Sequence, residues 1–181
     1  MKSLVNKIIE VHQSLEDNSF PHAFGGALAL AWCTSQARGT IDIDINIFVP
    51  VEQSEQVSKA LPDGVECPED KLAILKRDGQ VRLWFETSPL DVFLNTTDYH
   101  DQLWQRIHFA PLASTDLPFL SCLDLAVFKA FYNRTKDWAD LEAMVEAGAL
   151  NIDEVRKITG HYLGDDDRLE KLEALRQFQK F

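Results

Sequence analysis

Residues 40–49, TIDIDINIFV, constrain the fold more than any other stretch of the 181-residue chain. Ile41, Ile43, Ile45, Ile47 and Val49 alternate with Asp42, Asp44, Asn46 and Phe48. A period of two residues predicts a β-strand, because successive side chains leave a strand on opposite faces, and β-branched residues suit its pleated backbone. The isoleucine face demands burial. The other face carries two carboxylates whose Cα atoms stand about 6.5–7 Å apart. A fold built on this strand therefore needs a layer over the isoleucines and an open or cationic environment beside the aspartates.

The rest of the chain supplies that layer. Ser3 is placed to cap a helix in which Leu4, Ile8, Val11 and Leu15 recur at helical spacing, ending before Pro21. HAFGG reads as a short buried strand running into Gly25 and Gly26, and ALALAWC as a packed helix. After the aspartate strand, VEQSEQVSKAL suits a surface helix. KLAILKRDGQVRLWFE reads as a hairpin about Asp78 and Gly79, since Asp-Gly is a strong tight-turn signal. LDVFLN is a further strand, with Asp91 opposite in direction to Leu90 and Val92. Beyond HFAPLASTDLP the pattern becomes helical: Ser121 to Tyr132 with Ser121 and Asp124 in capping-box spacing, Lys136 to Ala147, Ile152 to Tyr162, and Asp166 to Phe178. The expected class is α+β: a mixed sheet flanked by helices over residues 1–112, then a helical bundle over 113–181.

Composition narrows the chemistry. With 29 acidic and 18 basic residues the net charge is −11, which disfavours a broad surface held to nucleic acid by phosphate contacts. An acidic chain that handles phosphates does so through divalent cations bound by carboxylates. No apolar run approaches the roughly 18 residues of a membrane span, and carboxylates come too early for a signal peptide, so a cytoplasmic location is expected. Cys33, Cys67 and Cys122 are odd in number and widely spaced, which predicts buried thiols and neither a disulfide framework nor a zinc site. The five histidines show no metal-ligand spacing and are expected to make local hydrogen bonds only. Trp32, Trp84, Trp104 and Trp138 are expected in the core or an interface.

Asp42, Asp44 and a third strand carboxylate, Asp91, can together hold paired divalent cations of the kind that serve phosphoryl and nucleotidyl transfer. Gly25 and Gly26 let backbone and helix N-terminal amides approach a triphosphate. Taken singly, an acidic pair on an edge strand is more often merely solvated, and paired glycines mostly mark turns.

The combination FGG, then RGTIDID, then LDVF resembles the pattern of the DNA polymerase beta-type nucleotidyltransferase superfamily. The spelling GGALAL…ARGTIDIDI is most similar to a compact bacterial branch that includes the abortive-infection type II toxin nucleotidyltransferases, and KAFYNRTKDWADL is similar to that branch's Lys…Arg…Asp-x-x-Asp helices. The likeness covers most of residues 20–145. It implies a nucleotidyltransferase core, with Mg2+ or Mn2+ held by Asp42, Asp44 and Asp91, and with Asp91 also as general base toward an acceptor hydroxyl. It further implies an NTP bound by Gly25, Gly26, Arg38 and Thr40, with Lys129 meeting phosphate or acceptor and Asp137 helping to orient it. The acceptor implied is an RNA or tRNA end or a small molecule, and a toxin or antitoxin protein is an implied partner. Gly26 stands where many active members have serine, removing one phosphate contact. A non-catalytic binding module or antitoxin-like subunit on the same fold is the competing expectation.

Overall fold

The computed structural model describes residues 2–37 and 39–179. By contact the chain divides into two compact units. One comprises the residues up to Leu28 together with Gly39–Leu120, and the other runs from Ala29 to residue 37 and resumes at Ser121.

The first unit contains α1 (Leu4–Asp17), β1 (His22–Phe24), the start of α2 (Gly26–Thr34), β2 (Ile43–Pro50), α3 (Ser54–Ala60), α4 (Glu69–Asp78), β3 (Gln80–Phe85), β4 (Ser88–Asn95), α5 (His100–Leu103), β5 (His108–Leu112) and β6 (Thr115–Phe119). The strands form one mixed sheet in the order β3-β4-β2-β1-β6-β5. β2 runs parallel to β4 and β1 parallel to β6, while the other neighbours are antiparallel.

The alternation in β2 sets the two faces of this sheet. Ile43, Ile45 and Ile47 are fully buried and lie in register with Leu90, Val92 and Leu94 of β4. Burying a side chain of this size is worth roughly 1.5–3 kcal/mol, so this register is strongly favoured; a slip by one residue would turn the aspartates into the core. Helix α1 covers this face. Ser3 Oγ accepts from the Asn6 amide at its N-terminus, and Ile8, Val11 and Leu15 are buried along one side.

The hairpin expected about Asp78 and Gly79 is not present. Residues 69–78 are helical, and Gly79 is the left-handed residue that stops the helix, with φ 68° and its N–H donating to Leu75 O. Glu69 and Asp70 in the first turn and Lys76 and Arg77 in the last suit the helix dipole, and Gly after a helix is as good a stop as Gly in a turn. The true hairpin joins β3 and β4 through Glu86, which takes φ 53°. A second hairpin, β5–β6, carries the sheet on to Phe119.

The second unit is helical: α6 (Cys122–Tyr132), α7 (Thr135–Glu146), α8 (Ile152–Leu163) and α9 (Asp167–Ala174), with the later residues of α2. The Ser121 cap is formed, its Oγ accepting from the Asp124 amide at 3.0 Å. Residues after 150 are integral to this unit. Ile152, Val155 and Leu172 are buried, and Arg168 donates to Phe131 O of α6 at 3.1 Å. Cys33 and Cys122 form a disulfide, correcting the expectation of free thiols; Cys67 alone remains a thiol. A separation of 89 residues gives sequence spacing nothing to register, because the pairing exists only once α2 and α6 are folded.

Candidate active site

Three carboxylates share the sheet face opposite the isoleucines. Asp44 of β2 and Asp91 of β4 are direct partners in the parallel register, and Asp42 lies two residues before Asp44 on the same side. This is the arrangement the alternation predicts. Asp91 is 17% exposed and Asp42 39%. The three therefore sit at the surface end of the sheet and not within its core.

The glycines lie against one of them. Gly25 N donates to Asp44 O at 2.9 Å, tying the end of β1 to β2. Gly26, the first residue of α2, has φ 51°, and a Cβ built on it would stand 1.9 Å from Asp44 Oδ2. Only glycine fits here, both for its left-handed backbone and for the space. Thr40 folds onto the same segment, its Oγ1 accepting from the Asp42 amide at 3.1 Å and lying 3.4 Å from Asp42 O. It thus shapes the entry to the strand. Arg38 lies outside the described residues.

The residue that sequence reasoning missed is Arg82. On β3 it is the cross-strand partner of Asp91, and its Nε and a terminal nitrogen donate to the two Asp91 oxygens at 2.8 and 2.6 Å. Asp42 Oδ2 is 3.8 Å away. The Asp91 hydrogen bonds, and then the charges of Asp91, Asp42 and Asp44, push the guanidinium further into its protonated range. One fixed positive charge thus stands among three negative ones. The signal was present in the sequence: Arg82 alternates between buried Val81 and Leu83, which aims it at the aspartate face once the register is known. Trp84, two residues along on the same face, is 54% exposed, so of the core and interface positions expected for the tryptophans it does not take the core one.

Lys129 and Asp137 meet each other in the helical unit. Lys129 Nζ donates to Asp140 at 2.7 Å and lies 3.8 Å from Asp137. Asp137 is fully buried and accepts from Arg134 through both the backbone amide and the guanidinium. These four residues hold α6 to the start of α7.

The donor set on the sheet face fits a hard divalent cation. Mg2+ and Mn2+ take carboxylate oxygens, which Asp44 and Asp91 offer from adjacent strands with Asp42 just before β2, and Gly26 brings no Cβ against Asp44.

No protein-family profile and no curated protein sequence matches the chain. Solved structures do. The solution structure of the antibiotic-resistance factor ANT(2'')-Ia superposes with a TM-score of 0.59 at 14% identity, over 96% of each chain. An antigenic nucleotidyltransferase-like protein from Paracoccidioides brasiliensis gives 0.58 at 16% identity, over 98% of this chain and 94% of that one. The lincosamide antibiotic adenylyltransferase LnuA, with lincomycin bound, gives 0.52 at 14% identity, over 77% and 94%. At such identity the likeness establishes a shared fold, that of nucleotidyltransferase-like proteins.

Proposed function

We propose that the chain is a metal-dependent nucleotidyltransferase, moving a nucleoside monophosphate from an NTP to an acceptor hydroxyl with release of pyrophosphate. The observation that carries this reading is the in-register pair Asp44 and Asp91, with Asp42 beside them, facing a glycine turn that opens a helix. Asp42, Asp44 and Asp91 would hold Mg2+ or Mn2+, which when bound neutralises triphosphate charge and stabilises the pyrophosphate leaving group. The chain's own part is positioning. Gly25 and Gly26 let backbone amides approach phosphate, Thr40 fixes the backbone at Asp42, and Asp91 takes the proton of the acceptor hydroxyl. We assign Arg38 to the same phosphate edge. Asp91 can act only when Arg82 has left it, because both its oxygens accept from that guanidinium.

For the acceptor we favour a small hydroxylated molecule. LnuA and ANT(2'')-Ia, both named for antibiotics, share the fold, and a chain of net charge −11 is a poor track for RNA. Exposed Trp84 on the site face offers an apolar platform for such a ligand. Pyrophosphate release, followed with each NTP against a panel of aminoglycosides, lincosamides and RNA 3′ ends, tests this. Turnover with RNA alone, falling steeply with salt, would overturn the small-molecule acceptor and revive the toxin-like reading.

The Arg82–Asp91 pairing favours one second reading: a non-catalytic binding module, antitoxin-like, in which Arg82 permanently occupies the place of the cation. Mn2+ binding by the full chain that is lost in Asp42→Asn/Asp44→Asn separates the two, since a locked sheet-face site takes none.

A further inference from the structure

We propose a second metal site, for Zn2+ or a similar borderline divalent cation, formed by His12, Glu16 and His22. One ligand atom from each lies within 4.8 Å of the others, although the sequence spacing relates only His12 and Glu16. His12 and Glu16 are one turn apart on α1, and the fold brings His22 of β1 against them.

Each residue is prepared for the task by something other than the metal. His22 Nδ1 lies 2.7 Å from Phe20 O, so it carries the proton and donates, and the lone pair falls on Nε2. Metal-binding histidines are fixed in this way, by donating the other ring N–H to a backbone carbonyl. Nε2 faces His12 Nδ1 at 2.9 Å. In the metal-free protein His12 donates across that gap as the Nδ1–H tautomer. Two nitrogens bound tetrahedrally at 2.0–2.1 Å stand roughly 3.3 Å apart, so the nitrogens need separate by only a few tenths of an ångström while the rings turn, by about 35° each, to aim both lone pairs at the metal. On binding, the His12 proton moves from Nδ1 to Nε2, and the charge of both rings is unchanged. His22 is buried and His12 half-buried, while Glu16 is exposed and leaves the site open to solvent. Burial holds both imidazoles below their ordinary titration range, which suits them as neutral ligands.

Two imidazoles and one carboxylate select Zn2+ over Mg2+, whereas the all-oxygen set proposed on the other side of the sheet also accepts Mg2+, which in excess keeps Zn2+ from it. The sides are fixed by register. His22 is opposite Ile47, so it stands on the isoleucine face, while Ala23 is opposite Asn46 on the aspartate face. The metal would bolt α1 to the strand that runs directly into Gly25 and Gly26. The site goes beyond the proposed transferase activity and does not depend on it.

The test is Zn2+ titration of the chelator-treated full chain in excess Mg2+, with thermal midpoints and histidine 15N spectra recorded alongside. Asp42→Asn/Asp44→Asn and Cys67→Ser serve as controls for the triad and the free thiol. The expected result is one Zn2+ per chain, retained in both controls, with a raised midpoint and a shift of the His12 proton from Nδ1 to Nε2. His12→Ala should lose at least the roughly 10–100-fold in affinity that removal of a mere outer-shell partner costs. Glu16→Gln, at an exposed position, should weaken binding without disturbing the metal-free fold. Zn2+ binding that is absent, unchanged in both His12→Ala and Glu16→Gln, or lost with the triad or Cys67 would overturn the proposal.

Discussion

Asp44 and Gly26 are coupled, and that coupling is open to a single substitution. Gly26→Ala places a methyl group on the Asp44 carboxylate and forces alanine into the left-handed region, at about 1–2 kcal/mol for the backbone alone. We expect a fall in chemical stability of that order in urea unfolding, and a larger fall in turnover because Asp44 must move. Arg82→Ala works in the opposite direction. Removing a half-exposed ion pair worth about 0.2–1 kcal/mol frees Asp91, so half-saturation by Mn2+ should improve by up to about fivefold. Unchanged or weakened Mn2+ binding would show that Arg82 does not compete for Asp91. Asp42, Asp44 and the glycines were legible in the sequence because a period of two and a Gly-Gly turn are local patterns. Arg82 was not, because its role depends on which strand lies beside β4.

At the scale of elements, α6 and α7 are joined by Lys129, Asp140, Asp137 and Arg134 around a carboxylate with no solvent exposure. Lys129 is shared by Asp140 and Asp137, and without it Asp137 keeps, among the described residues, only Arg134 as its charged partner. Lys129→Met should therefore lower the urea midpoint, and turnover per folded molecule decides whether Lys129 also meets nucleotide. A retained kcat and KM assign it to packing, and a raised KM for NTP assigns it to phosphate. The Asp78–Gly79 misreading belongs to this scale too. A dipeptide cannot reveal whether the residues before it pair as a strand or wind as a helix, and here Leu75 alone of that helix is buried while charged ends suit the dipole. Strands carrying strict alternation, β2 and the core of β4, were legible, whereas β5 and β6, with Pro111 and Pro118 inside them, were not.

Across the whole molecule, the Cys33–Cys122 bond closes a loop of 89 residues within the sequence, and such closure is worth about 2–5 kcal/mol. Reduction, or Cys122→Ser, should lower the thermal midpoint of the chain, and equal midpoints in both redox states would contradict this. Disulfides persist in oxidising surroundings, so the redox state of this pair in the cell bears directly on the expected cytoplasmic location. Among the described residues no helix is long and apolar enough to cross a membrane. Acid should also weaken the fold. His12, His22 and His100 are held below the ordinary 6.5, chiefly by burial. The unfolded chain takes up their protons first, so their stability contribution is present above about pH 6.5 and is lost as the pH falls through the lower folded values. The urea midpoint at pH 5.5 should lie below that at pH 7.5. The central claim concerns the sheet face, and the most direct measurement is transfer of label from α-labelled NTPs with Mg2+ or Mn2+ into a metabolite extract or total RNA. Wild type should yield a labelled product whose size reveals the acceptor class, and Asp42→Asn/Asp44→Asn, folded to the same midpoint, should yield none. Equal labelling by both proteins, or none by wild type with any NTP, would contradict the account.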